Sequence, residues 1–220
     1  MNIAEEALAM IREGMTIGLG TGRAATAFVK ALGARVQSGF KIRGAPTSEA
    51  TAELARSLGI PLVSLEDVDR LDATFDGADE VSPNLDLIKG LGGALLREKI
   101  VASSSDRLII LVGSGKEVEV LGAHAPLPIE VVPFGLPLVR RRLAAIDHPA
   151  DLRMREGKPF ITDNGNYILD SRAMPIRDPH GLEREIKSIP GVVETGFFLG
   201  MAEQVLIQDD DGTVRVRRRD

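Results

Sequence analysis

The chain has no cysteine, so it has no disulfide framework, no thiol nucleophile and no thiolate metal site. Its three histidines, His124, His148 and His180, stand far apart and none shows the i, i+4 spacing of a ligand pair, so no metal is expected in the chemistry. No stretch reaches the roughly 18 uncharged apolar residues of a membrane span. The opening "MNIAEEALAMIREGM" carries Glu5 and Glu6 where a secretory signal would carry basic residues. A long basic run is missing as well: the net charge is −5 and the basic clusters are short, Arg140–Arg142 and the terminal "RVRRRD", which argues against a phosphate-tracking nucleic-acid surface. These absences predict a cytoplasmic protein with no nucleic-acid partner and no membrane contact.

What is present is a chain of 220 residues, 44% hydrophobic, enough for one large core and one small one. In the first half, short apolar runs ("MTIGL", "KIRGA", "IPLVSL", "LDATF", "RLIILVG") alternate with helical stretches near 23–33, 47–58 and 93–103. That alternation predicts an α/β fold, a Rossmann-like and mainly parallel sheet with helices on both faces. Prolines 126, 128, 133 and 137 then break the rhythm. The order beyond them is strand 129–134, helix 138–146, interrupted strand 152–162, strand 167–171, helix 180–188 and strand 192–198, with "DNGN" at 163–166 as a hairpin turn. This is the β-α-β-β-α-β order of a smaller ferredoxin-like α+β domain. The expected division is therefore 1–125 with 200–220 as one domain and 126–199 as the other, the tail returning to the first sheet.

Ligands of such sheets sit beyond the carboxyl ends of the strands. One of those ends is "IGLGTGRAATAFVKAL". A dinucleotide fingerprint needs G-x-G-x-x-G and an acid closing the second strand; here Gly18, Gly20 and Gly22 alternate and the second strand ends "IRGAP", so that reading fails. The general physics of a helix N-terminus remains: the N–H groups of Thr21, Gly22, Arg23 and Ala24 make an anion site sized for a phosphate, unless the glycines serve only a tight turn.

A second end is Asp76-Gly77-Ala78-Asp79-Glu80, where clustered carboxylates suit the hydroxyl donors of a sugar, or else a solvated surface turn. Next comes Lys89-Gly90-Leu91-Gly92-Gly93, in which glycines allow close backbone approach and Lys89 adds a cation for a developing oxyanion. In the following helix, Glu98 falls between Ala94 and Ala102, flanked by Leu95 and Val101, a framing that predicts partial desolvation and hence a general base. The competing reading is an ordinary charged Arg97-Glu98-Lys99 face. Thr47 or Ser48 is a natural N-cap, and Lys116 lies in a loop after the last strand of the first half.

The motifs "GLGTG", "PTSEATAELARSLGIPL", "DATFDGADEV", "LIKGLGGALLREKI", "LPIEVVPFG", "TDNGNYILD" and "IPGVVETGFF" occur in order along nearly the whole chain, which resembles the A-type ribose-5-phosphate isomerases. The resemblance implies interconversion of ribose 5-phosphate and ribulose 5-phosphate through an enediolate with no cofactor, a step of the non-oxidative pentose phosphate pathway. It also implies a homodimer or homotetramer. By the same resemblance Glu98 transfers the proton, with Asp76 and Lys89 assisting. Thr21, Gly22, Arg23, Ala24, Asp76, Gly77, Ala78, Asp79, Lys89, Gly90, Leu91, Gly92 and Lys116 would line the substrate.

The chain departs from the family pattern after "GTG": Arg23-Ala24 stands where Ser-Thr is usual, so two phosphate hydrogen bonds are missing unless the Arg23 guanidinium replaces them. Many members also carry a lysine in the first helix, where this chain has none before Arg12. The alternatives are a non-catalytic sugar-phosphate sensor, or an enzyme for a different phosphosugar. The joint presence of Glu98, Asp76 and Lys89 favours catalysis over sensing.

Overall fold

A computed structural model of the protein describes residues 2–172 and 175–219. The expected domain ranges also contain residues 1, 173, 174 and 220, which lie outside the described residues. The chain divides into two compact units: Met1–Ala78 with Arg97–Lys116 and Met201–Asp220, and Asp79–Leu96 with Glu117–Gly200.

The first unit is built on a six-stranded sheet in the order Val214–Arg218, Gln204–Gln208, Leu108–Gly113, Ala73–Asp76, Thr16–Leu19, Arg43–Pro46. Every neighbouring pair is parallel except the edge hairpin of Gln204–Gln208 with Val214–Arg218. The central strands Thr16–Leu19 and Ala73–Asp76 are buried at every position, the mark of a sheet covered on both faces. Ile17 and Leu19 join one core with Phe28, Val29 and Leu32 of helix Arg23–Gln37. Gly18, between them, faces the other way, towards Thr74 and Val101 of helix Leu95–Ser103. Helices therefore cover both faces, and Phe28 stacks on Phe75 with ring centroids 4.7 Å apart.

The second unit holds a four-stranded antiparallel sheet ordered Val192–Thr195, Leu127–Val131, Tyr167–Ser171, Ala150–Leu152. Counted along the β-α-β-β-α-β series these are its fourth, first, third and second strands, as the ferredoxin-like expectation requires. Helices Leu136–Ala145 and Pro179–Lys187 bury Val139, Leu143, Leu182 and Ile186 against Leu127, Ile129, Val131 and Leu169. A three-stranded sheet, Phe197–Phe198 with Leu87–Ile88 and Glu80–Val81, completes the unit.

Several elements differ from the sequence reading. "IPLVSL" forms only an isolated bridge, Leu62 with Gly44, rather than a strand. The expected strand 192–198 is two strands in two sheets, broken at Gly196. The Gly196 N–H donates to Pro128 O at 2.7 Å and its carbonyl accepts the Lys89 N–H at 2.8 Å, so the backbone changes partners there. A Cβ on Gly196 would collide with the Lys89 carbonyl. The compact units also run differently from the expected ranges: residues 79–96, 117–125 and 200 fall in the second unit. Pairing of Glu80–Val81 and Leu87–Ile88 with Phe197–Phe198 takes the first segment there, and the hydrogen bonds that Glu80 accepts from Gly122, His124 and Ala125 take the second.

Candidate active site

In the first unit, strand Thr16–Leu19 runs into the glycine loop and helix Arg23–Gln37 starts from Gly22. Gly22 has φ +105°, a conformation that L side chains rarely adopt. Gly20 is glycine for a different reason: its own conformation is ordinary, but a Cβ there would run into the Asp76 carboxylate. That carboxylate closes strand Ala73–Asp76 and is 1% exposed; its Oδ1 accepts the N–H of Thr21 at 3.0 Å and of Gly77 at 2.8 Å. The Thr21 N–H is thus directed at Asp76, leaving Gly22, Arg23 and Ala24 at the open first turn of the helix, with the Arg23 side chain exposed.

The Thr21 hydroxyl lies 2.7 Å from that of Thr47, 2.8 Å from Ser48 Oγ and 3.2 Å from Thr51 Oγ1. Thr51 in turn donates to the Gly20 carbonyl at 3.0 Å and Thr47 to the Leu19 carbonyl at 3.0 Å. Ser48 does cap helix Glu49–Ser57, accepting the Thr51 N–H at 3.1 Å, but the hydroxyls also brace the glycine loop from below. Sequence spacing pointed only to the cap.

The Arg97-Glu98-Lys99 triplet splits. Arg97 pairs with Glu49 at 2.7 Å on the surface, and its guanidinium holds the exposed Glu49 carboxyl below the usual range. Glu98 instead turns inwards and is 4% exposed. Ala94, Leu95, Val101 and Ala102, the residues expected to frame it, are each buried. Gly77 and Ala78 are half-buried after the Asp76 strand end, and half-buried Lys116 closes a short 3₁₀ turn, Ser114–Lys116, after strand Leu108–Gly113.

In the second unit the acids of the "DGADE" run part company. Asp79 Oδ2 accepts the Leu91 N–H at 2.9 Å. Glu80 is sealed, 0% exposed, and takes the amides of Gly122, His124 and Ala125, a purely structural use of a carboxylate. Lys89 is 2% exposed, with its ammonium 5.2 Å from the centre of the Phe198 ring, and a buried cation there is aided by the ring's negative face. Beyond it, Gly90 turns at φ +105°, the Gly93 N–H closes on the Gly90 carbonyl at 3.0 Å, and Leu91 and Gly92 are exposed.

Among the described residues, no three His, Asp or Glu side chains are grouped to hold a metal ion, and no helix is long and apolar enough to cross a membrane.

The fold defines an α/β protein that carries, in its first unit, a glycine turn at a helix N-terminus with nearly sealed Asp76 and Glu98, and, in its second, a nearly sealed Lys89. Residues 43–212 match the family model for ribose 5-phosphate isomerase A (phosphoriboisomerase A). A ribose-5-phosphate isomerase A of Roseiflexus sp. (strain RS-1) is 53% identical over 216 residues, covering 97% of this chain and 93% of the relative. One from Gloeobacter violaceus is 51% identical over 210 residues, covering 95% and 91%. A solved ribose-5-phosphate isomerase in complex with phospho-erythronic acid superposes with a TM-score of 0.95 at 42% identity, covering 99% of this chain and 96% of that one. The Plasmodium falciparum ribose 5-phosphate isomerase gives 0.95 at 40% identity, covering 99% and 97%. The chain belongs to the ribose 5-phosphate isomerase A family.

Proposed function

We propose that this protein interconverts D-ribose 5-phosphate and D-ribulose 5-phosphate. The observation that carries the reading is the burial of three ionisable side chains, Asp76, Lys89 and Glu98, each under 5% exposed, within a chain that matches this family almost end to end. Buried ionisable groups are costly to stability and mark candidate sites of chemistry, although one of them here, Glu80, is a structural brace.

Glu98 removes the proton from C2 of the open-chain aldose, and the C–H electron pair becomes the C1–C2 double bond of an enediolate. The same carboxyl returns the proton to C1 while the hydroxyl proton passes from O2 to O1, so the aldehyde becomes a hydroxymethyl group and C2 becomes the carbonyl. Lys89 and the amides of the Gly90–Gly92 turn stabilise the oxyanion, and Asp76 assists opening of the furanose ring. The helix N-terminus at Gly22, Arg23 and Ala24, with Lys116, anchors the phosphate, whose binding energy holds the reacting carbons in place. Gly77, Ala78 and Asp79 line the sugar, and Thr21 sets the loop. The acid bound in the solved relative, phospho-erythronic acid, joins a phosphate to a carboxylate, the charge pattern an enediolate of a pentose phosphate develops.

The protein works in the cytoplasm as a homodimer or homotetramer, without metal or cofactor; exposed Val132, Phe134 and Leu138 within one short stretch support self-association. Ketose formation from ribose 5-phosphate in the presence of EDTA tests the activity and its metal independence together. No turnover would overturn the reading, and light scattering of the same sample reads the oligomer.

A further inference from the structure

The second unit carries an arginine that nothing in the sequence motifs marks. Arg153 is 12% exposed, and all three arms of its guanidinium are engaged. Nε donates to Asp170 Oδ2 at 2.8 Å and Nη2 to Asp170 Oδ1 at 2.5 Å, a two-pronged pairing that fixes the plane of the group. Nη1 then donates to the carbonyls of Gly90 at 2.8 Å and Leu91 at 3.1 Å. The N–H of Leu91, on the same peptide group as the Gly90 carbonyl, goes to Asp79. The peptide joining Gly90 and Leu91 is therefore held at both ends by side chains, Arg153 at its carbonyl and Asp79 at its N–H. The short hairpin of Met154–Arg155 with Lys158–Pro159 joins Arg153 to Phe160, whose ring lies where a Cβ on Gly93 would have to sit, and the Phe160 N–H donates to Arg153 O at 2.9 Å.

This turn follows Lys89 directly and contains two glycines and an exposed leucine, so its own sequence does little to fix its shape. A half-buried arginine already paired with Asp170 has no need of two further carbonyls for its own stability. We infer that Arg153, oriented by Asp170, is a positioning residue for the isomerase reaction: it sets the peptide planes of the Lys89–Gly92 turn so that the lysine and the turn's remaining amides face the developing oxyanion. The inference rests on the function proposed above. It assigns Arg153 no contact with the sugar.

A donor array misplaced by about 1 Å costs up to roughly 10²-fold in rate. Arg153→Met keeps the aliphatic stem and removes the fork; kcat for ribose 5-phosphate should fall tenfold or more while KM stays within about threefold, because the phosphate anchor is untouched. Asp170→Asn, which keeps the arginine but weakens its orientation, should show the same split in smaller measure, and Arg153→Lys should recover only part of the loss. Amide hydrogen exchange supplies a readout that does not depend on turnover: the Leu91 amide should exchange faster in Arg153→Met than in the wild type. Unchanged kcat and unchanged Leu91 exchange in a folded Arg153→Met protein would overturn the inference. A lower melting temperature with unchanged kcat would reduce Arg153 to a structural brace and overturn it as well. Wild-type protein with no isomerase activity would instead remove the functional reading, and the exchange experiment would still decide whether Arg153 holds the turn.

Discussion

Asp76 Oδ1 accepts the backbone N–H of Thr21 at 3.0 Å, which ties the end of one central strand to the glycine loop leaving its neighbour. One carboxylate thereby serves both as a proposed catalytic group and as a brace for the proposed phosphate loop. Gly20 is the residue that leaves room for it.

Gly20→Ala is expected to be costly on both counts. The new methyl group would displace the Asp76 carboxylate, and overpacking of this kind costs ~1–3 kcal/mol. Thermal unfolding should report that loss, and kcat should fall with it because Asp76 and Thr21 move together. Wild-type melting temperature and kcat would show that the loop has slack to absorb the methyl.

Glu98→Gln keeps the shape of a side chain that is 4% exposed while removing its ability to take a proton. The expected fall in kcat is about 10²–10⁴-fold, the usual contribution of a general base, with the fold retained. Exchange of solvent deuterium into C1 of the product should be lost in parallel. Near-normal turnover would take the proton transfer away from Glu98.

Arg23→Ala tests whether the exposed arginine at the first turn of helix Arg23–Gln37 serves the phosphate. A hydrogen bond to a charged group contributes ~1.5–3 kcal/mol, so KM for ribose 5-phosphate should rise about tenfold or more with little change in kcat. An unchanged KM would leave the phosphate to the backbone amides and Lys116.

His148 lies outside the site, and its predicted effect is on stability alone. Burial holds its pKa below the ordinary histidine value, against the opposing pull of Glu185 and Asp147, and its Nδ1 is buried without a hydrogen-bond partner among the described residues. The folded state therefore binds the proton less readily than the unfolded chain. Its contribution to stability is present above the unfolded value of about 6.5 and is lost as pH falls through the lower folded value. The melting temperature should drop over that range, and His148→Gln should flatten the dependence without altering kcat at neutral pH.

The inward turn of Glu98 was legible in the sequence because a helix repeats every few residues: its apolar neighbours Ala94, Leu95, Val101 and Ala102 place it on a buried face without any distant information. The ferredoxin-like strand order was legible for the same kind of reason, since proline breaks and the 163–166 turn delimit its elements locally. The fates of Asp79 and Glu80 were not. Adjacent in the chain, one meets the Leu91 amide and the other the amides of 122, 124 and 125, and nothing in the run "DGADE" distinguishes them.

By itself the sequence determined the alternation of strands and helices in the first half, the element order of the ferredoxin-like unit and the apolar framing of Glu98 in helix Leu95–Ser103. These follow from backbone sterics and side-chain period, which act within a turn or two. Only the tertiary structure decided that Thr47, Ser48 and Thr51 sit under the Thr21 loop, that Glu80 is a brace, and that Arg153 reaches the Leu91 carbonyl across 62 residues of chain. Such partnerships depend on which segments the folded core brings side by side, and a hydrogen bond formed only after that closure leaves no periodic trace in the residues that make it.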